Sequence, residues 1–207
     1  QAAWDAGAGV TSANPDLAAA VERLGRWDGR ADTMSVETTW LVLAAELRAA
    51  AQTTVTTGPD AGRPWIAALD RALGMLVDEW GTVEVPWGSV NRHQRPLPGA
   101  PVRLDPGRES LAVGGAPGGL GSAFTFYGGP AGQPGPRLGA GGNSFVKVIE
   151  FGPTPRAASV LNYGQSGDPA SPHFFDQARL YAARSFKPAW FTRADVEANS
   201  MTATEVR

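Results

Sequence analysis

The segment GQSGDPASPHFFDQARLYAARSFKPAWFT, from Gly164 to Thr192, gathers the side-chain types from which hydrolytic sites are built. In such sites a serine supplies the nucleophile, a histidine the general base and an aspartate the group that orients the base. Ser166 or Ser171 could combine with His173 and Asp176 in this way. The sequence lacks a GxSxG nucleophile elbow, however, and Ser171 stands directly before a proline, as helix-capping residues often do. We therefore predict that Ser171 caps a helix and that the segment has a structural role.

Two other patterns could bind ligands. The glycine-rich stretch GGAPGGLG fits neither the dinucleotide-binding nor the phosphate-loop spacing, and it leads into a strand-like SAFTFY instead of a helix. A connecting loop is therefore predicted there. The two histidines, His93 and His173, are far apart, and neither has a second ligand one helical turn away. We predict that this chain carries no cofactor or metal site.

Composition excludes several classes of partner. The 18 basic and 20 acidic residues leave a net charge of -2 without a polybasic block, so neither nucleic acid nor an anionic membrane is expected as a partner. The absence of cysteine excludes disulfides and thiolate chemistry. No apolar run approaches the roughly 20 residues of a membrane span, and the first residues lack the pattern of a signal peptide. Because the chain starts with Gln1 instead of methionine, we expect it to have been cut from a longer polypeptide.

The first third of the chain has helical periodicity. Asn14-Pro15 predicts the start of one helix, and its apolar face carries Leu17, Val21 and Leu24. A second helix is expected to begin after Thr33 or Ser35 and to present Val36, Trp40, Leu43 and Leu47. A third follows the turn GPDAGRP with Arg63-Pro64 at its entry. We assign residues 1–82 to a helical segment.

Beyond Gly81 the pattern changes to short β-prone pieces separated by Gly and Pro. TVEVPWGSV, SLAV and SAFTFY are predicted strands. SFVKVIEF and RAASVLNY flank GPTP and are predicted to form an antiparallel hairpin with one buried face. A final helix is expected over HFFDQARLYAARSF, with Ser171 as its cap. Residues 83–207 are therefore predicted to form a β-rich segment with a C-terminal helix. The predicted fold class is α+β.

Four patches of the sequence resemble the penicillin acylase family of N-terminal nucleophile hydrolases, in the same order along the chain. They extend from about Ala19 to Thr192 and match the C-terminal part of the family's β chain. Within this family the resemblance is to the acyl-homoserine-lactone acylase type. The patches are AAVERLGRWDGRADTMSVETTWLVLAAEL, VPWGSVNRHQRP, GGAPGGLGSAFTF with GGNSFVKVIEFG, and the segment from Gly164 to Thr192.

The resemblance implies that this chain is part of a four-layer αββα fold and works with the other α-chain and β-chain parts of the same acylase. The nucleophile of the family is the N-terminal serine of the β chain, with its own α-amino group as base. Gln1 has no hydroxyl or thiol and cannot take that role. The family's oxyanion-hole residues precede the matched part, so no catalytic residue is assigned in this chain.

By the same resemblance, the complete enzyme would cleave the amide of an acylated small molecule. N-acyl-homoserine lactones are the favoured substrate, and penicillin, cephalosporin or lipopeptide substrates are the alternatives. Relatives are exported to the periplasm or secreted, are processed from a precursor, and in some cases hold calcium in the complete enzyme. A non-catalytic binding or structural module is the alternative of another class.

Within this chain the expected contribution is structural support. We expect the segment from Gly164 onward to anchor the last hairpin and the final helix. Ser171 would act as the cap, and the other polar side chains would be buried hydrogen-bond partners. The predicted supporting residues are Gln165, Ser171, His173, Asp176 and Gln177.

Overall fold

Capping residues set the limits of the first helices in the computed structural model, which describes residues 14–51 and 62–200. Helix α1 is Pro15–Arg26, and the Asn14 side chain accepts a hydrogen bond from the backbone N–H of Asp16. Helix α2 is Val36–Ala50, where the Ser35 hydroxyl accepts from the backbone N–H of Thr38. These side chains satisfy amides that have no partner inside the helix.

Helix α3 is Arg63–Trp80, and it ends at Gly81, which adopts a left-handed φ of 71°. A glycine takes this conformation without strain, so the helix stops where the sequence predicted. All three predicted helices are confirmed. Gln1 and residues 58–61 of the predicted turn GPDAGRP lie outside the described residues.

The apolar faces of the three helices form one core. Helix α2 packs against α3, and the Trp40 indole N–H donates to the Val83 carbonyl over 2.7 Å. The Thr39 hydroxyl donates to the Val85 carbonyl, so the chain that follows α3 is tied back onto α2. The buried large apolar side chains of this core are Leu17, Leu24, Val36, Trp40, Val42, Leu43, Leu47, Ile66, Leu69, Leu73, Leu76, Val85, Trp87 and Val90.

The predicted strand TVEVPWGSV is wrong, because Trp87–Val90 forms a single helical turn, α4. Two backbone hydrogen bonds to the loop before α2 explain the difference. The N–H of Trp87 donates to the Ser35 carbonyl, and that of Gly88 donates to the Thr33 carbonyl over 2.8 Å. A Cβ on Gly88 would lie 2.9 Å from the Cβ of Thr33, so this close approach requires glycine. Tertiary contacts outweigh local β propensity here.

Short strands follow α4. Strand β1 (Asn91–His93) pairs antiparallel with β2 (Leu111–Ala112) and parallel with β4 (Arg137–Leu138). Strand β3 (Phe126–Tyr127) pairs antiparallel with β5 (Gly141–Gly142). The predicted strands SLAV and SAFTFY are therefore present as two-residue pieces, and they belong to different sheets. Between them lies a single 3₁₀ turn, Gly118–Leu120.

The chain divides into two compact units, one that ends at Gly142 and one that begins at Asn143. The second unit contains the predicted hairpin. Strand β6 (Phe145–Glu150) pairs antiparallel with β7 (Arg156–Leu161). The pairing is regular from Phe145 opposite Leu161 to Glu150 opposite Arg156, so the hairpin prediction is confirmed.

The prediction of one buried face for this hairpin is only partly met. On β7 Ser159 and Val160 are buried, whereas on β6 the side chains of Phe145 and Val148 are 54% and 56% exposed. Strand β8 (Lys187–Ala189) extends the sheet antiparallel to β7. The sheet order is therefore β6-β7-β8, with β6 at an edge.

The predicted last helix is much shorter than expected, and Ser171 does not cap it. Helix α5 is only Ala178–Ala182, preceded by a series of turns. The Ser171 hydroxyl accepts from the backbone N–H of His173, two residues on, and the Ser171 carbonyl accepts from the N–H of Phe174. These bonds close tight turns instead of opening a helix. Helix α5 ends before Arg184, whose φ of 53° is left-handed. A further helix, α6, is Arg193–Asn199.

The described residues thus combine helices with mostly antiparallel strands, which agrees with the mixed fold class predicted from the sequence. None of the helices in residues 14–51 and 62–200 has the length and apolar character needed to span a membrane.

Leu69 and Val77 offer a matched test of the first core, since both lie on α3 but Leu69 is fully buried and Val77 is 44% exposed. We expect Leu69→Ala to lower the free energy of unfolding by about 2–5 kcal/mol, because it leaves a cavity in a packed interior. Val77→Ala is expected to change it little. Urea unfolding followed by circular dichroism measures both, and equal losses would contradict this assignment of the core.

Candidate functional site

His173 and Asp176 form the most enzyme-like pair in the second unit. The Asp176 carboxylate lies 2.8 Å from Nδ1 of His173 and can orient the imidazole, as the aspartate does in a catalytic triad. Both side chains lie in the turns before α5 and are well exposed, 57% for His173 and 38% for Asp176. An exposed pair is surrounded by high-dielectric solvent, which weakens the electrostatic stabilisation that catalysis uses.

The serines near this pair take part in turns. The Ser166 hydroxyl accepts from the backbone N–H of Asp168 over 3.1 Å, and the Ser171 hydroxyl accepts from that of His173 over 3.2 Å. Each hydroxyl therefore stabilises the conformation of its own turn. This geometry supports a structural role for the segment.

Gly164 holds the start of this segment against its end. A Cβ at Gly164 would collide with the His173 carbonyl oxygen and with the Asp176 carboxylate. The backbone N–H of Ser166 donates to the same His173 carbonyl over 3.1 Å. Only glycine permits so close an approach of two backbone segments, so this position fixes how the turns fold back on the hairpin.

Gln177 connects these turns to the sheet. Its side chain is 4% exposed, and its Oε1 accepts from the backbone N–H of Leu161 at the end of β7 over 3.0 Å. Its own backbone N–H donates to the Tyr163 carbonyl. A buried amide whose partners all belong to the backbone acts as a bracket between β7 and α5.

The other predicted supporting residues differ from expectation. Gln165, His173 and Asp176 lie at the surface and are not buried hydrogen-bond partners, whereas Ser171 is half-buried. His173 and Asp176 lie in the turns that replace the predicted helix, and their side chains are exposed there. Their structural support of the segment stays a prediction.

Tyr181 was missed by the sequence analysis. It lies one helical turn after Gln177, is fully buried, and donates from its hydroxyl to the Asn143 carbonyl over 2.7 Å. Burial raises the pKa of this phenol well above its ordinary value. The spacing of four residues, with a polar tip on an aromatic ring, was the available signal.

A second polar cluster lies in the first unit, along α4 and β1. The Asn91 side-chain amide donates to the carbonyls of Val113 and Phe126, over 2.9 and 3.0 Å. The Trp87 indole N–H donates to the Gly115 carbonyl over 2.6 Å. One short segment thus binds the backbone of the glycine-rich region at several points.

Gln94, directly after β1, continues this pattern. Its side-chain nitrogen donates to the carbonyls of Asp105, Arg108 and Glu109, each over 3.1 Å. Its side-chain oxygen accepts from the backbone N–H of Asp105 over 2.9 Å. The loop around Asp105 has little regular structure, so one buried glutamine supplies hydrogen bonds that a strand partner would otherwise provide.

Arg137 places a positive charge beside this cluster. Its Nη1 lies 2.9 Å from a carboxylate oxygen of Glu46, and the same oxygen accepts from the backbone N–H of Gly132. The guanidinium carbon lies 5.7 Å from the centre of the Trp87 ring. Arg137 is opposite Asn91 in the parallel β1–β4 pairing, so their side chains are on the same face of the sheet. The Glu46 carboxylate on α2 thus neutralises the buried Arg137 guanidinium on β4.

Among residues 14–51 and 62–200, no group of three or more His, Asp or Glu side chains has an arrangement that could hold a metal ion. Both polar clusters instead bind backbone carbonyls and amides of their own unit. Their hydrogen bonds hold irregular backbone segments in place. The assignment of no catalytic, cofactor or metal residue to this chain stays a prediction.

Gln177 and Gln165 give a test of the bracket. We expect Gln177→Leu to lower the free energy of unfolding by about 1–3 kcal/mol, because the Leu161 N–H is left without its acceptor. Gln165→Leu, at an exposed position, is the control. Thermal unfolding measures stability, and hydrogen exchange should become faster at the Leu161 amide in the first variant only. Unchanged exchange at Leu161 would contradict the bracket.

The Glu46–Arg137 ion pair can be compared with the exposed pair formed by Glu150 and Arg156. We expect Glu46→Gln to reduce stability by about 3 kcal/mol, since it leaves the buried guanidinium without a counter-charge. Glu150→Gln should leave stability unchanged, because solvent screens that pair. Urea unfolding measures the stability of both variants. A larger loss for Glu150→Gln than for Glu46→Gln would contradict the stabilising role of the buried ion pair.

Comparison with known proteins identifies the family. The sequence profile of the Penicillin amidase family matches residues 2–198. The chain is similar to acyl-homoserine lactone acylase PvdQ of Pseudomonas fluorescens, with 30% identity over 70% of this chain and 18% of that protein. It is also similar to the PvdQ protein of Pseudomonas syringae pv. syringae, with 27% identity over 87% of this chain and 24% of that protein.

Two further similarities are shorter or more distant. Aculeacin-A acylase of Actinoplanes utahensis is 37% identical over 28% of this chain and 8% of that protein. A thermostable penicillin G acylase from Alcaligenes faecalis aligns in structure with a TM-score of 0.47 and 15% identity, over 99% of this chain and 45% of that chain. The chain thus spans about a quarter or less of the curated relatives named here. With its family profile matched over almost the whole sequence, the chain belongs to the Penicillin amidase family.

Proposed function

We propose that this chain is the C-terminal part of the β chain of an acylase that hydrolyses the amide bond of an acylated small molecule. The observation that carries the proposal is the family match over residues 2–198, combined with the small share of each relative that the chain spans. In this proposal the remaining α-chain and β-chain parts of the same acylase are its partners, and together they form the four-layer αββα body.

The reaction would proceed through an acyl-enzyme. An N-terminal serine on another part of the enzyme attacks the amide carbonyl, and its α-amino group takes the proton. Oxyanion-hole donors on that other part stabilise the tetrahedral intermediate. This chain contributes scaffold: Asn91, Gln94 and Gln177 hold irregular backbone in place. By itself the chain is inactive.

N-acyl-homoserine lactones are the favoured substrates, since two relatives are named acyl-homoserine lactone acylases. This would make the enzyme a quorum-quenching one. Antibiotic substrates are the alternative, either an acylated lipopeptide or a penicillin or cephalosporin, because another relative is named aculeacin-A acylase and the family is named Penicillin amidase. We further propose maturation from a precursor, a periplasmic or secreted location, and calcium as a possible component of the complete enzyme only.

A non-catalytic binding or structural module is the second candidate. The continuous core of the first unit favours it, because such a core can stabilise a fold by itself. The second unit disfavours this candidate function, since many of its large apolar side chains are exposed.

Native mass spectrometry of the protein purified from its source organism tests the proposal. We expect this chain to travel with at least one other chain, one of which begins with serine, and the complex to hydrolyse an N-acyl-homoserine lactone. Denaturing mass analysis identifies each chain. A folded chain that purifies alone and releases no acyl group from lactone, penicillin or lipopeptide substrates would overturn the acylase proposal in favour of the binding module.

A further inference from the structure

The second unit buries little of its apolar surface. Among its described residues, the buried large apolar side chains are Val160, Phe174 and Tyr181. Exposed ones are concentrated on the hairpin, on the segment around β8 and on α6. They are Phe145, Val148, Ile149, Phe151, Phe186, Trp190, Phe191 and Val196. A surface of this kind is typical of one that another polypeptide covers.

The pairing pattern shows which backbone groups of β6 face outward. The Ser144 carbonyl accepts from the N–H of Asn162 over 3.0 Å, so these two residues form a hydrogen-bonded pair. Such pairs alternate with non-hydrogen-bonded ones along an antiparallel ladder. Phe145, Lys147 and Ile149 are therefore in non-hydrogen-bonded positions, and their N–H and C=O groups point away from β7.

Leu161 provides an independent check on this alternation. It is opposite Phe145, so its N–H must point away from β6. That N–H donates to Gln177 Oε1 instead of to a carbonyl of β6. Both observations give the same orientation, so the open edge of β6 presents three donors and three acceptors.

The two edges of the sheet differ. On β8, Pro188 is opposite Ala158, a position where the same alternation turns backbone groups outward. Proline has no N–H and blunts that edge against a further strand. Strand β6 has neither proline nor glycine over its six residues. Within the described part of the chain, its single neighbour is β7. Only the β6 edge is thus suited to extension.

We propose that the free edge of β6 pairs with a β-strand from the part of the acylase polypeptide outside these 207 residues. The proposal rests on the proposed function, since it takes its occupant from the remaining acylase chains. The size of the missing part supports this choice, because the chain spans only 18% and 24% of two relatives. Added main-chain hydrogen bonds would supply affinity, and side-chain pairs would supply register.

The side chains of β6 indicate what the added strand contains. Phe145, Lys147 and Ile149 are on one face of the strand, with the lysine between two apolar residues. The Lys147 ammonium lies 5.4 Å from the centre of the Phe191 ring. Directly opposite Lys147, a carboxylate is the favoured partner, flanked by apolar side chains two residues away on each side.

Lys147→Pro tests the proposal with little effect on the hairpin, because it removes an N–H that points outward. Lys147→Ala, which keeps that N–H, is the matched control. Each variant is expressed in the complete acylase, with an affinity tag on the other chains, and the amount of this chain that co-purifies is measured. We expect about a tenfold loss for the proline variant and less than about a twofold change for the alanine variant.

Hydrogen exchange gives a second readout that needs no mutation. The amides of Phe145, Lys147 and Ile149 should exchange at least about tenfold more slowly in the complete enzyme than in the isolated chain. Fast exchange in the complete enzyme, or equal co-purification of both variants, would overturn the edge pairing while the acylase proposal stands. A homodimer of the isolated chain that Lys147→Pro dissociates would assign the edge to a second copy instead. A chain that has no acylase partner would overturn both proposals.

Discussion

Satisfying buried backbone groups is the constraint on which the rest of this structure depends. Gly and Pro are frequent, and most strands of the first unit have only two or three residues. Such segments offer few ladder hydrogen bonds, yet a buried N–H or C=O without a partner costs about 1–3 kcal/mol. Three buried amide side chains in the described residues, Asn91, Gln94 and Gln177, make up the difference.

These three residues solve the problem in the same way. Each reaches backbone groups far from it in sequence: Asn91 bonds to Phe126, 35 residues on, and Gln177 to Leu161, 16 residues back. A side-chain amide carries both a donor and an acceptor, as Gln94 shows by bonding to the carbonyl and the N–H of Asp105, whereas an ionised carboxylate can only accept. These three amides therefore hold irregular backbone segments together.

Local signals explain how much of the fold could be predicted. Asn14, Ser35 and Gly81 mark helix ends through contacts within a few residues, so the three helices and their limits followed from the sequence. The errors occur where distant partners decide. Trp87 is held in a helical turn by Ser35, and the expected helix at Ser171 is lost because the chain folds back onto Gly164. Propensity over a short window contains no information on such contacts.

Less of the candidate site than of the fold could be predicted, because its contacts join residues that are distant in sequence. Gln177 could be named because it lies in a segment dense with polar side chains. Arg137 and Glu46 are 91 residues apart, and nothing in the spacing of the sequence connects them.

The contrast between the two units connects fold to function. The first unit has a continuous apolar core with its charges paired inside it, as the Glu46–Arg137 contact illustrates. In the second unit, Val160 and Tyr181 are buried while the facing strand β6 keeps most of its side chains in solvent. An isolated three-stranded sheet with one open edge gains little from burial and risks association through that edge. Under the proposal made above, further polypeptide of the same acylase would cover this edge, and the chain spans only 18% and 24% of two relatives.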